Sequence, residues 1–219
     1  IASAGAPDVV QSITPSGLLC PGTNVIFTAN HTVVAPNGTP TSFTWTVPAG
    51  YTIVSGQGTQ TLEVTIGNTA GSLSVTASNY CGDAPASFAV TPILPEVLTN
   101  VSGPAIACEG SGGGAYSTQS FSGTYAWSAP AGWSFTPPNP SGSTATASAN
   151  AGAQSGAVSV YVTNACGVNS NAVSVPVTVD GDALITSISG NTSSGQGGSV
   201  VITAAASNAT AFNWSLPTG

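Results

Sequence analysis

Four cysteines are the residues of this sequence that can form covalent cross-links. Cys20 and Cys108 lie 88 residues apart, and Cys81 and Cys166 lie 85 residues apart. Cys81 and Cys166 each stand in a copy of the tetrad Asn-x-Cys-Gly. No pair has the Cys-x-x-Cys spacing of a zinc site, and the only histidine, His31, is remote from them in sequence. We therefore expect disulfides, which persist in oxidising compartments.

The pairing of these cysteines is open among three solutions. The simplest joins Cys20 to Cys81 and Cys108 to Cys166, one bond in each repeat. In the sandwich predicted below, however, the strands next to the two cysteines run parallel, which puts such a pair near opposite ends of a domain. Bonded cysteines have Cα atoms within about 7 Å of each other. Cys20 would then meet Cys166 of the second repeat instead, or the cysteines remain thiols.

Catalytic residues are not indicated. His31 is the only possible imidazole base, and its neighbours have no counterpart in the other repeats. The serines lack a Gly-x-Ser-x-Gly elbow and a positioned His-Asp pair. We expect no enzymatic activity and no cofactor, and we interpret His31 as a loop residue.

Two close carboxylates, Asp180 and Asp182, could offer oxygen ligands to a calcium ion. Calcium takes six or more oxygens, and the preceding linker supplies only Glu96, so the arrangement does not follow the repeat. We expect no metal site and interpret the motif as a polar turn, with calcium binding as the alternative.

A hexad, Trp-x-x-Pro-x-Gly, occurs at residues 45–50, 127–132 and 214–219. Its tryptophans lie 82 and 87 residues apart, so each repeat is large enough to bury its own core. We expect these tryptophans to pack in the core, each followed by a turn. Tyr51 and Trp133, which follow the first two turns, are candidate glycan contacts, and the alternative is an aromatic side chain covering the end of the fold.

The elements that position these residues follow a β pattern. In the first repeat, apolar and polar residues alternate along the predicted strands 24–29, 42–47, 61–66, 72–78 and 86–92, with turns between them. We predict an all-β fold of tandem immunoglobulin-like antiparallel β-sandwiches, with domains 1–94, 95–181 and 182–219. The third is incomplete, and Gly195 stands where the earlier repeats have their first cysteine.

The composition restricts the partners. The 219 residues include no Lys or Arg and seven acids, and 41% of them are apolar. Without cations the chain cannot neutralise phosphates, which excludes nucleic acid and disfavours anionic membrane surfaces. No apolar run is long enough for membrane insertion, and we expect any signal peptide to have been removed or to lie outside this sequence.

Four motifs together resemble the PKD-like immunoglobulin-fold repeats of large secreted surface proteins of Bacteroidota. They are Cys-x-Gly before the first predicted strand, Trp-x-x-Pro-x-Gly, Gly-x-Gly-Thr, and Val-x-Ala/Val-x-Asn-x-Cys-Gly. The resemblance implies a PKD-like module and, by association, type IX secretion cargo such as adhesins and gliding adhesins.

We expect a non-enzymatic extracellular cell-surface protein, in which the repeats form a stalk or adhesin segment that spaces or presents a distal binding element. The expected partners are neighbouring modules of the same protein, surface glycans and the outer-membrane secretion or motility machinery. The alternatives are spacer modules of a secreted polysaccharide hydrolase or protease, direct glycan binding, and assembly into an extracellular filament.

Overall fold

The computed structural model of the protein describes residues 5–31, 38–110, 113–191 and 197–215. The regular elements within these ranges are β-strands, which confirms the predicted all-β class. The chain forms two compact units, Ile1–Val97 with Thr163–Ser170, and Leu98–Val162 with Asn171–Gly219. Gly195 and the last four residues of the third hexad lie outside the described residues.

None of the described segments forms a helix of the length and hydropathy that crossing a membrane requires. The predicted domain boundaries at residues 94 and 181 stay a prediction.

The described part of the first unit is a sandwich of two antiparallel sheets. Its strands are β1 (Val10–Pro15), β2 (Asn24–His31), β3 (Ser42–Thr46), β4 (Thr52–Ser55), β5 (Thr61–Thr65), β6 (Gly71–Asn79) and β7 (Gly82–Val90). One sheet has the order β1-β2-β5-β4, and the other has the order β3-β6-β7. Each hydrogen-bonded pair of these strands is antiparallel.

The core of the first unit is made by alternate side chains of both sheets. In β2, β3, β5 and β6 the fully buried residues are two apart and alternate with more exposed ones, because successive side chains of a strand point to opposite faces. The large side chains that meet in this core include Phe27, Leu62, Val64, Trp45, Leu73 and Val75. Their removal from water supplies the main stabilisation of the sandwich.

The second half of the hexad is a tight turn. The Tyr51 N–H donates a hydrogen bond to the Pro48 carbonyl at 3.2 Å, and Gly50 between them has φ = 84°. Gly132 in the second repeat has φ = 81° and lies in a turn closed in the same way. A positive φ at this position favours glycine, so the spacing from proline to glycine encodes the turn predicted from the sequence.

The second unit contains three sheets in its described part. Its strands are β8 (Val101–Ser102), β9 (Ile106–Cys108), β10 (Gly114–Thr118), β11 (Thr124–Ser128), β12 (Trp133–Thr136), β13 (Thr144–Ala149), β14 (Gly156–Thr163), β15 (Val173–Asp180), β16 (Leu184–Gly190) and β17 (Ile202–Ser207). The sheet orders are β12-β13-β10-β8, β11-β14-β15-β9 and β16-β17. The pairing of β9 with β15 is parallel, a departure from the purely antiparallel sandwich that we predicted.

Small residues in β13 are compensated by aromatic residues in β12. The inward positions of β13 are Ala145, Ala147 and Ala149, all buried. Trp133 and Phe135 of β12 pack against the same cluster. The aromatic side chains of β12 therefore supply apolar volume to a core in which the central strand β13 presents only methyl groups.

Candidate functional site

One disulfide in the described residues joins Cys20 to Cys166, with 5.6 Å between their Cα atoms. Both cysteines belong to the first compact unit, since residues 163–170 are part of it. The pairing of Cys20 with Cys81 and of Cys108 with Cys166 is therefore wrong. The alternative, a bond from Cys20 of the first repeat to Cys166 of the second, is what the structure contains.

The length of β7 explains why Cys20 and Cys81 do not pair. Cys81 directly precedes β7. Cys20 lies beyond the other end of this strand, where the Ile93 N–H donates to the Leu19 carbonyl at 2.9 Å. The nine residues of β7, at a rise of about 3.3 Å each, span roughly 30 Å, well above the limit of about 7 Å for bonded cysteines.

A short turn fixes the backbone at Cys20. The Thr23 N–H and hydroxyl both donate to the Cys20 carbonyl, at 3.1 and 2.8 Å. Gly22, with φ = 77°, donates its N–H to the Ile66 carbonyl at 2.8 Å. The Cys-x-Gly spacing thus ties the cysteine to the end of β5 through a glycine in the left-handed region.

A buried asparagine fixes the loop that carries Cys166. Asn164 is 6% exposed, and its Oδ1 accepts hydrogen bonds from the N–H groups of Cys166 and Val168, each at 3.0 Å. Its Nδ2 donates to the Leu94 carbonyl at 3.0 Å. Because each polar atom of this side chain has a partner, hydrogen bonds offset the desolvation cost of its burial, and they tie the loop to the segment at Leu94.

A cavity of about 550 Å³ adjoins the disulfide within the first unit. Its lining residues are Cys20, Pro21, Thr23, Asn68, Ile93, Leu94, Pro95, Cys166 and Val168. None of these nine described residues carries a carboxylate or an imidazole. The walls of the cavity are mostly apolar, and Thr23 and Asn68 supply polar side chains among them.

The first hexad tryptophan is a core residue, as predicted. Trp45 is 2% exposed, and its indole N–H donates to the Thr59 carbonyl at 2.8 Å. Gln57 binds the backbone of the same residue, accepting from the Trp45 N–H and donating to the Trp45 carbonyl, both at 2.9 Å. The Gly-x-Gly-Thr motif therefore serves to hold this tryptophan.

The other two hexad tryptophans differ in burial. Trp127 is partly buried against the core of the second unit, and its indole N–H donates to the Gly142 carbonyl at 2.9 Å. Trp214 is 54% exposed, so its expected core packing is not seen. In the first repeat β5 and β6 supply the core that surrounds Trp45, and the described part of the third repeat has no counterparts of these strands.

The two candidate glycan contacts lie in different environments. Tyr51 is 7% exposed, belongs to the core, and donates its hydroxyl hydrogen to the Thr69 carbonyl at 3.0 Å. Burial raises the pKa of this hydroxyl above its usual value. A ring enclosed in this way offers no face to a sugar, so glycan contact is wrong for Tyr51, and its burial agrees instead with the alternative of an aromatic side chain that covers the core.

Trp133 is only partly buried. It packs on the cluster around Tyr116, and its indole N–H donates to the Gln154 carbonyl at 2.9 Å.

Tyr80 is a fully exposed aromatic residue that we did not single out from the sequence. Its exposure could have been predicted from its place in the sequence, because it lies in the turn between β6 and β7, where core side chains are not expected.

The remaining candidates from the sequence are His31, Asp180 and Asp182. His31 is the last residue of β2, so its interpretation as a loop residue is wrong. Its ring centroid lies 6.1 Å from that of Phe43, and its Nδ1 is buried without a hydrogen bond. Asp180 and Asp182 accept hydrogen bonds through their backbone carbonyls. No three His, Cys, Asp or Glu side chains of the described ranges come together as a metal site.

Comparisons of structure give low overall similarity to several multidomain proteins. The I-band fragment I67–I69 of titin is 17% identical, with a TM-score of 0.49, covering 84% of this chain and 69% of that one. The Escherichia coli adhesin FdeC is 21% identical, with a TM-score of 0.35 and coverages of 86% and 69%. Domains 4 and 5 of the S-layer protein SbsC are 14% identical, with a TM-score of 0.40 and coverages of 80% and 99%.

No curated protein matches the chain in sequence. The family of the PKD-like domain matches it twice, at residues 6–91 and 94–177. These two matches cover most of the chain and coincide with the first two sequence repeats, each with its tryptophan hexad and Asn-x-Cys-Gly turn. The chain belongs to the PKD-like domain family.

Proposed function

We propose that the chain is part of a non-enzymatic extracellular surface protein, in which it forms a stalk or adhesin segment that spaces or presents a distal binding element. The observation that carries this proposal is the Cys20–Cys166 disulfide, which closes a loop across a sequence separation of 146 residues. A disulfide does not stretch under ordinary loads. Tension applied to the two ends of the chain therefore bypasses the residues between the two cysteines.

The composition supports the same proposal. A surface with no Lys or Arg and only seven acids forms few ion pairs, so its properties depend little on salt outside the cell. The disulfide fits an oxidising compartment. The neighbouring modules of the same protein, surface glycans and the outer-membrane machinery are the partners that we propose. An origin in Bacteroidota, export by type IX secretion and a role in adhesion or gliding rest on the resemblance of the motifs.

Single-molecule stretching of the chain from its two ends tests the mechanical part. When the disulfide is intact, the 146-residue separation between the cysteines contributes no extension. Reduction releases this length, roughly 500 Å at about 3.5 Å per residue. The Cys20→Ser variant should show the longer extension without reductant, and equal extension of the oxidised and reduced wild type would contradict the proposal.

Antibody labelling of intact cells tests the location. An antibody raised against residues 1–219 should label cells that carry the gene without permeabilisation. Labelling that requires lysis would refute an extracellular role. A catalytic domain in the same polypeptide would instead support the alternative, a spacer of a secreted hydrolase or protease.

Direct glycan binding is a second candidate, favoured by the exposure of Tyr80 and the partial exposure of Trp133. Exposed aromatic rings stack on sugar faces through their apolar surface. In a glycan-array measurement, Tyr80→Ala and Trp133→Ala should each weaken binding. The Tyr80 variant is the cleaner test because its ring makes no core contact. Absence of binding by the wild type to every glycan removes this candidate.

A further inference from the structure

Cys108 lies in a turn that copies the turn of the disulfide-bonded Cys20. In both turns the glycine two residues later has a positive φ, 77° at Gly22 and 71° at Gly110. The Gly22 N–H donates to the Ile66 carbonyl, directly after β5, at 2.8 Å, and the Gly110 N–H makes the corresponding bond to the carbonyl of Ala149, the last residue of β13, at 2.9 Å. Cys108 is thus presented by the same local structure, and it is exposed.

The turn that carries Cys81 is held by an asparagine in the same way as the loop that carries Cys166. The Cys81 N–H donates to Oδ1 of Asn79 at 2.8 Å, as Cys166 does to its own asparagine. Nδ2 of Asn79 donates to the Gly5 carbonyl at 3.1 Å, as Asn164 does to the segment that precedes the second repeat. Cys81 is also exposed.

We propose that the Cys20–Cys166 bond is one member of a series, in which the first cysteine of a repeat, where the repeat has one, bonds to the second cysteine of the repeat that follows it. Cys108 is then the attachment point for a following PKD-like repeat, and Cys81 is the attachment point for a preceding one. The ligand at each site is the thiol of a homologous module. This inference concerns the covalent pattern of the array and does not depend on the proposed function.

The chemistry of each further bond is thiol–disulfide exchange. A thiolate of one repeat attacks an external disulfide donor, such as oxidised glutathione, and releases one glutathione thiol. The second thiolate then attacks the mixed disulfide and releases the other glutathione. Two protein thiols lose two electrons and two protons, and the donor is reduced to two thiols.

An extended chain tests the site at Cys108. All 219 residues are kept, and a second copy of residues 94–181 is inserted between residues 181 and 182. After oxidation with glutathione, we expect Cys108 to be linked to the second cysteine of the inserted repeat and Cys20 to stay linked to Cys166. Because the chain has no Lys or Arg, the bonds are mapped after pepsin digestion at low pH, which also stops exchange.

A matched control replaces the second cysteine of the inserted repeat by serine, after which Cys108 should become fully reactive toward iodoacetamide. The retained Cys20–Cys166 bond reports correct folding in the same molecules. A bond between the two cysteines of the inserted repeat overturns the proposal. So does an alkylated Cys108 in the oxidised chain with the second cysteine present.

A second variant examines Cys81 independently. A copy of residues 1–94 is placed before residue 1, and the first cysteine of this copy should bond to Cys81. If Cys81 is fully alkylated while Cys20–Cys166 is intact, the series does not extend in this direction and the proposal fails.

Discussion

Glycine at position 56 is required by two independent constraints. Its φ of 89° lies where side chains with a Cβ are strained, and an added Cβ would lie 2.1 Å from the Thr61 carbonyl oxygen. Gly58 has nearly the same φ, 91°, but an added Cβ there would meet nothing within 4 Å. This pair separates backbone strain from steric collision within a single motif.

We predict that Gly58→Ala lowers the free energy of unfolding by about 1–2 kcal/mol, the cost of a positive φ in an L-residue. Gly56→Ala should cost about 3 kcal/mol or more, because the backbone must also move away from Thr61. Urea unfolding of the two variants measures the difference. Equal losses would mean that the collision at position 56 is relieved without cost.

Tyr51 and Tyr116 place two phenol groups in cores, and burial raises the pKa of each above its usual value. The unfolded chain therefore loses these protons at a lower pH than the folded protein does. Stability from these groups is complete below about pH 10, the ordinary tyrosine pKa, and is lost as pH rises through the higher folded values.

We predict that the melting temperature falls above about pH 10 and that the double variant Tyr51→Phe/Tyr116→Phe falls less steeply. Thermal unfolding across pH 8–12 measures both slopes. The comparison is made with Cys81 and Cys108 replaced by serine in both proteins, so that disulfide exchange does not contribute. Identical slopes would assign the alkaline sensitivity to other groups.

At the scale of elements, the alternation of apolar residues located five strands of the first repeat. The observed β2, β3, β5, β6 and β7 overlap the predicted strands and differ from them by a few residues at their ends. Two strands were not predicted. In β1 the buried residues Val10 and Ile13 are three apart because the register shifts between them, and β4 buries no side chain fully. Neither strand carries the two-residue period.

The side chain of Gln57 connects the Gly-x-Gly-Thr motif, which precedes β5, to the strand β3. Gln57 makes two hydrogen bonds to the Trp45 backbone in β3, so it takes the place of a neighbouring strand at this edge. Gln60, three residues later, makes one bond, from its Nε2 to the Ala29 carbonyl at 2.9 Å. These two glutamines differ in the number of backbone groups that they satisfy.

We predict that Gln57→Ala lowers the free energy of unfolding by about 2–3 kcal/mol, since two backbone groups of β3 lose their partner. Gln60→Ala, the matched control, should cost about 1 kcal/mol. Urea denaturation of both variants gives the order. A larger loss for Gln60→Ala would contradict the role assigned to Gln57.

At the scale of the whole molecule, the disulfide could not be deduced from the sequence. The repeat spacing of the cysteines shows which positions are equivalent, but equivalent positions allow pairing within a repeat or between repeats. The path of β7 decides between them, because it carries the chain away from Cys81 and ends near Cys20. The environment of Tyr51 stayed open between two interpretations for a related reason: its position after a turn does not reveal whether the turn directs the ring into the core.

We predict that Cys20→Ser lowers the free energy of unfolding by up to about 5 kcal/mol, from the closure entropy of so long a loop. Cys81→Ser, outside this bond, should change it by less than about 0.5 kcal/mol. Thermal unfolding with and without reductant measures both. Reductant should lower the melting temperature of the wild type and leave that of Cys20→Ser unchanged, and a wild type insensitive to reductant would refute the prediction.

The same bond changes what a backbone break does to the protein. A cut at a peptide bond between Cys20 and Cys166 leaves two fragments that are still one covalent molecule. The parts on either side of the loop then stay attached to each other until the disulfide is reduced. If the chain is a surface stalk, as we propose, hydrolytic damage within this loop would not separate the residues before Cys20 from those after Cys166.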